Sequence, residues 1–174
     1  AALDENLIDL CWRDRPQPER HPAILLEMRY TGKSSADKRR EIGAAIAGQG
    51  ADAALVFAAD SVAWLLNIRG SDVPHLPLVL GYALLHADGR LAFFTDPLKI
   101  PAGFEAHTGK GVEVLPESEA DASFRALAGR RVLADPDTAN AWCQLRLAAH
   151  GAELVAGADP VLLPKACKNA AEIA

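Results

Sequence analysis

The chain has 174 residues, half of them hydrophobic and 24 % charged, with a formal charge of −5 and a mean hydropathy of +0.04. That balance excludes a disordered tail, and the apolar runs fall far short of the ~20 residues a membrane-spanning helix needs. An acidic chain without a basic stripe is also a poor nucleic-acid binder, because phosphate neutralisation supplies most non-specific affinity.

Leu3, Leu7, Ile8 and Cys11 recur at helical spacing and predict a helix over 3–12. Three prolines (Pro16, Pro18 and Pro22) then remove donors and force extended backbone, so residues 13–22 read as a linker or surface strap. Ser34 with Asp37 three residues on has the form of a capping box. It opens a helix to about Gly48 whose buried stripe is expected at Ile42, Ala45 and Ile46. Asp52 to Ala58 is a continuous apolar run, as in a strand covered on both faces. Asp60 is placed to cap a short helix over 61–66, and residues 67–77, with one Gly and two Pro, form a loop. The segments 78–87 and 90–95 flank Asp88-Gly89 and predict a hairpin with a two-residue primed turn. Strands follow over 112–115, 131–134 and 153–156. They alternate with helices over 117–127 and 138–149, the latter presenting Trp142, Leu145 and Ala149 on one face. One hairpin plus alternating strands and helices predicts an α/β fold: a mixed sheet with helices on both faces. The chain opens Ala-Ala-Leu without Met and closes on what reads as a helix just beginning at 168–174, so it is expected to be a piece of a longer protein.

Chemistry-bearing motifs are sparse. The histidines at 21, 75, 86, 107 and 150 offer no metal-binding i,i+4 pair, and His86 and His150 are expected to be structural. Cys11, Cys143 and Cys167 are too scattered for a metal knuckle and read as reduced thiols behaving as small hydrophobes. Gly32-Lys33-Ser34 lacks the earlier glycine of a phosphate loop, since position 27 is Glu, and reads as a helix cap. The loop from Asn67 to Pro77 concentrates Arg69, Ser71, Asp72 and His75. A Ser-Asp-His set confined to five residues and without an oxyanion element is a poor hydrolase. The better expectation is an ordered loop whose Asp and Arg satisfy buried backbone groups or each other, and which faces something outside the domain.

Four stretches carry a family resemblance. They are Leu7 to Trp12 with Asp14-Arg15-Pro16, Tyr30 to Lys38, Asp60 to Pro74 (Asp-Ser-Val-Ala-Trp-Leu-Leu-Asn-Ile-Arg-Gly-Ser-Asp-Val-Pro), and Pro164 to Asn169 with Glu172. In that order they resemble the long, three-domain Xaa-Pro aminopeptidases (aminopeptidase P). The resemblance implies that this is the middle domain, with the creatinase/prolidase N-terminal fold: a six-stranded mixed sheet related to the ribonuclease H-like arrangement. It further implies an N-terminal helix and strap over 1–26, the domain itself over 27–168, and the start of a junction to a C-terminal catalytic domain over 169–174. That catalytic domain would hold two divalent metals, Mn or Zn, through two Asp, one His and two Glu lying beyond residue 174. No catalytic residue and no metal ligand is therefore assigned here. Asn67, Arg69, Ser71, Asp72 and His75 are the expected substrate-access loop. Where the family usually places Asn-Pro, His75 is followed by Leu76-Pro77.

The resulting expectation is a non-catalytic domain of a cytoplasmic, proline-directed metallopeptidase. Its partners would be the catalytic domain, short Xaa-Pro peptides and a second copy in a homodimer, with no nucleic acid and no membrane. The alternative is a stand-alone binding module of the same fold. The reading frame past Ala174 separates the two, because a peptidase needs Asp, His and Glu metal motifs there.

Overall fold

The computed structural model describes residues 7–16 and 20–174. Leu3 of the expected first helix and Gln17, Pro18 and Glu19 of the strap lie outside the described residues. In chain order the elements are α1 (Leu7–Cys11), β1 (Ile24–Leu25), α2 (Met28–Thr31), α3 (Ser35–Gly48), β2 (Ala53–Val56) and α4 (Ala59–Leu66). Then come β3 (Ile68–Arg69), β4 (Tyr82–His86), β5 (Leu91–Phe94), α5 (Phe104–Thr108), β6 (Val112–Leu115) and α6 (Ala120–Arg125). The chain closes with β7 (Arg131–Ala134), α7 (Ala141–Ala149), β8 (Glu153–Ala156), α8 (Leu162–Ala166) and α9 (Ala170–Ile173).

The main sheet has six strands in the order β6-β5-β4-β2-β7-β8. β4 runs antiparallel to both neighbours, whereas β5 with β6, β2 with β7 and β7 with β8 pair in parallel. Strand side chains alternate between two cores. Ala54, Val56, Ala83, Leu85, Phe93 and Leu133 pack with α3 and α4, through Ile42, Ile46, Val62 and Leu66. Their neighbours Leu55, Tyr82, Leu84, Phe94 and Val132 pack with α6 and α7, through Phe124, Cys143 and Leu147. The expected mixed α/β sheet with helices on both faces is the fold found.

The differences have local physical causes. Ser34 caps α3 as expected, accepting from the Asp37 amide at 3.1 Å, but Ala45 is exposed. The buried stripe is instead Ser35, Lys38, Arg39, Ile42, Gly43 and Ile46. Arg39 earns an inward place because its guanidinium donates to three backbone carbonyls: Gly89 at 2.5 Å, Thr108 at 3.0 Å and Lys110 at 3.1 Å. The hairpin loop holds three residues, since His86 N donates to Arg90 O at 2.8 Å and Gly89 N to His86 O at 2.9 Å. Asp88 does not reach the positive φ that a primed turn demands; Gly89 alone does, at 86°. On α7 the inward face is Cys143 and Leu147, leaving Trp142 and Leu145 42 % and 57 % exposed. Burial raises the Cys143 thiol to about 11, so it stays protonated, while Cys11 and Cys167 are exposed rather than core residues.

Gly43 marks the tightest approach of α3 to the sheet: a Cβ there would stand 2.7 Å from the Ala87 carbonyl oxygen. Alanine would gain up to about 1 kcal/mol of helix propensity, but it would collide with backbone that cannot rotate away. Gly43→Ala is expected to lower stability by about 1–3 kcal/mol in urea unfolding. An unchanged or raised midpoint would show that helix and hairpin can separate freely.

Candidate functional site

The residues of the expected access loop take different places. Asn67 terminates α4 in the left-handed region (φ 55°, ψ 44°), a conformation Asn tolerates better than most side chains. It is buried, and it knots four segments together. Its Nδ2 donates to Lys33 O at 2.8 Å, and its Oδ1 accepts from Lys38 Nζ at 2.7 Å. Its carbonyl meets Leu26 N at 2.9 Å and His107 Nε2 at 3.0 Å. Asn67 is thus a fastener of the site rather than a face of it.

Arg69 lies in β3, opposite Ile24 of β1, so this part of the expected loop is a short strand. Its guanidinium is half-buried and donates to its own neighbour, Ile68 O, at 2.8 Å. Burial holds its pKa below the ordinary arginine value, with the Glu172 carboxylate acting the other way.

Beyond Arg69 the chain folds back on itself. Gly70 N reaches Pro77 O at 3.3 Å, Asp72 N reaches Leu78 O at 3.1 Å and Leu76 N reaches Val73 O at 3.1 Å. The Asp72 carboxylate locks this turn, accepting from Leu80 N at 2.7 Å and from Lys99 Nζ at 2.8 Å. Ser71 and His75 are exposed, the latter with φ 66°. With Asp72 taken up by Lys99, no carboxylate of this loop orients His75, and the geometry offers no Ser-His-Asp relay.

The expected loop forms one wall of a cleft of about 540 Å³ whose other walls are Tyr30, Trp64, Lys165, Lys168 and Glu172. Trp64 Nε1 donates to Glu172 Oε1 at 3.1 Å. Glu172 and Asn169 form a reciprocal capping box at the start of α9, and Asn169 Nδ2 donates to Thr31 O at 3.0 Å. Lys165 pairs with Asp60, so Asp60 sits within α4 as an ion-pair partner and not, as expected, as its cap. Three of the four quoted stretches (30–38, 60–74 and 164–172) therefore meet at one concave surface. Sequence reading singled out the loop but missed Trp64, Lys165, Lys168 and Glu172 as its companions. The available signal was their shared membership of those motifs.

Beneath the cleft floor lies Lys38, 1 % exposed. Its ammonium stands 4.0 Å from the centre of the Trp64 ring and donates to Trp64 O at 3.1 Å. Burial pushes its pKa down to about 8, against a smaller opposing pull from Glu172.

Among the described residues, no group of three or more His, Cys, Asp and Glu converges as a metal cage would require. The cleft carboxylates already answer Lys165, Trp64 and Asn169. This donor set does not fit a dinuclear metal centre. No helix among the described residues is long and apolar enough to cross a membrane.

Residues 14–172 match the creatinase/prolidase N-terminal domain. The chain is 32 % identical over 177 residues to Xaa-Pro aminopeptidase 1 of Dictyostelium discoideum, covering 97 % of this chain and 28 % of that protein. It is 32 % identical over 139 residues to aminopeptidase P2 of Arabidopsis thaliana, covering 78 % and 19 % respectively. Among solved structures, the fold is similar to the X-prolyl aminopeptidase of Caenorhabditis elegans, a cytosolic enzyme with a di-nuclear active site. The TM-score is 0.86 at 27 % identity, over 99 % of this chain and 29 % of that one. The N-terminal domain of the peptidase PepQ from Mycobacterium tuberculosis shares the fold alone, at TM-score 0.54 and 21 % identity over 74 % of this chain and 98 % of its own. The chain spans less than a third of the length of the aminopeptidases it matches.

Proposed function

We propose that this chain, which belongs to the creatinase/prolidase N-terminal domain family, serves as the non-catalytic domain of a cytoplasmic, proline-directed metallo-aminopeptidase. In this reading, the bond between an N-terminal residue and a following proline is cut in a C-terminal catalytic domain of the same protein. Two divalent ions, Mn or Zn, act there, and a homodimer is the assembled form. The present domain narrows the approach to that centre and takes part in assembly, with residues 169–174 as the start of the junction.

The observation that carries this reading is the convergence of the 30–38, 60–74 and 164–172 stretches on one cleft beside the last helix. A wall tied down by Asp72, Lys99 and Asn67 holds its shape while a peptide passes. A rigid wall can exclude large substrates and orient short ones, and orientation is where much of an enzyme's advantage over solution arises. The donor set supports a division of labour, because bond hydrolysis by two metals needs ligands that these residues do not gather.

The test is direct. Incubated with an Xaa-Pro peptide, with and without added Mn²⁺, the 174-residue chain is expected to release no N-terminal residue. A longer polypeptide that includes the metal motifs is expected to release it. Hydrolysis by the 174 residues alone would overturn the division of labour, and failure of the longer polypeptide to discriminate for proline would overturn the substrate class.

A further inference from the structure

The charge around the cleft runs against that of the rest of the molecule. The chain as a whole carries −5, yet the cleft gathers Arg69, Lys165 and Lys168 around Asp60 and Glu172, with Lys38 just below. Asp60 is taken by Lys165, and Glu172 by Trp64 and the Asn169 amide. Among the described residues, Arg69 hydrogen-bonds only to Ile68 O, and Lys168 Nζ only to Lys165 O at 2.8 Å. A half-buried guanidinium whose sole acceptor is a carbonyl retains most of its five donors, including a planar fork shaped for two oxygens of one carboxylate.

The walls narrow the ligand further. Tyr30 and Trp64 present aromatic surface, and Leu76, Pro77 and Leu78 add apolar lining. A bare inorganic anion would leave this apolar surface wet. An oligopeptide with an apolar body and one terminal charge would cover it.

We infer that this cleft binds the free α-carboxylate of a short peptide, with Arg69 as the anchor, Lys168 as the supporting charge and Trp64 and Tyr30 as the walls for the peptide body. The peptide as ligand rests on the reading under Proposed function; the carboxylate follows from the cleft alone. Held at its C-terminus, a peptide is oriented, with its N-terminus directed out of the cleft.

The experiment is a ¹⁵N NMR titration of the 174-residue chain with the tripeptide alanyl-prolyl-leucine as free acid and as C-terminal amide, with inorganic phosphate as the third probe. The acid is expected to shift the Trp64 indole N–H and the Arg69 Nε–H and to bind about ten-fold more tightly than the amide. Arg69→Gln should erase that difference and Arg69→Lys should restore part of it. Lys168 is exposed and holds nothing else together, so Lys168→Gln should keep the fold and weaken the acid severalfold. Equal binding of acid and amide, no shift at the cleft, or equal affinity for phosphate would each overturn the inference. None of those outcomes bears on whether the longer polypeptide cleaves Xaa-Pro bonds. Conversely, an acid that binds the cleft ten-fold better than the amide, alongside a longer polypeptide that does not discriminate for proline, would uphold the cleft while removing the proline-directed reading.

Discussion

Lys99→Met is expected to cost about 3–5 kcal/mol in urea unfolding, the loss typical of removing one partner from a buried ion pair. The Lys99 and Asp72 side chains are only 9 % and 4 % exposed, with Nζ to Oδ2 at 2.8 Å. Without the ammonium, the Asp72 carboxylate would remain buried with the Leu80 amide as its remaining donor. It would stay buried short of a donor or drag the 70–80 turn outward into water. The double change Asp72→Leu with Lys99→Met removes both charges, and should recover most of the loss because two apolar side chains need no partner. A double-mutant cycle isolates the pair. Additive losses would show that the two side chains do not depend on each other. The same variants read out the loop: the amides of Gly70 and Asp72, bonded to Pro77 O and Leu78 O, should exchange faster in Lys99→Met than in the double variant.

That pair also shows where sequence reasoning ran out. Asp72 was legible as a loop residue poised to satisfy backbone, because Asp among Gly and Pro commonly does so. Its partner was not, since Lys99 is 27 positions away and follows a strand and a turn. The strands over 112–115, 131–134 and 153–156 were readable to the residue, each being a short stretch rich in Val and Leu between helices or turns. Elements decided by contacts rather than by pattern were not readable. β1 and β3 exist as two-residue strands because they pair with each other, and α7 turns Cys143 inward in preference to Trp142. The inner face of α3 misled for a related reason. Hydrophobic periodicity treats Lys and Arg as outward residues, but here Arg39 closes three carbonyls and Lys38 closes the end of α4. A sequence pattern records apolar surface, and it is blind to a buried cation whose acceptors arrive from distant loops.

Lys38 carries a pH signature of its own. Burial sets its pKa at about 8 in the folded chain, against about 10.4 when unfolded. Below pH 8 both states hold the proton, and folding must bury the charge. Between the two values the unfolded chain still binds a proton that the folded chain has released, so stability rises with pH across that window. The full gain is about 3 kcal/mol. A neutral amine keeps two N–H donors, enough for Trp64 O and Asn67 Oδ1, so the deprotonated site loses no acceptor. Lys38→Met leaves both oxygens unanswered and is expected to cost about 2 kcal/mol at pH 7. Because the variant cannot follow the rise, its gap from the unaltered chain should widen to about 4 kcal/mol by pH 10. Comparing the two proteins at each pH cancels the other groups that titrate there; a constant gap would mean that Lys38 keeps its proton throughout. The groups that bear on Lys38 are Glu172, which favours the charged form, and Arg69, Lys33 and Lys168, which oppose it. A carboxylate seated on Arg69 would join Glu172 on the favouring side. In the presence of the peptide acid the widening should therefore begin at a higher pH, and the amide should leave its onset where it was.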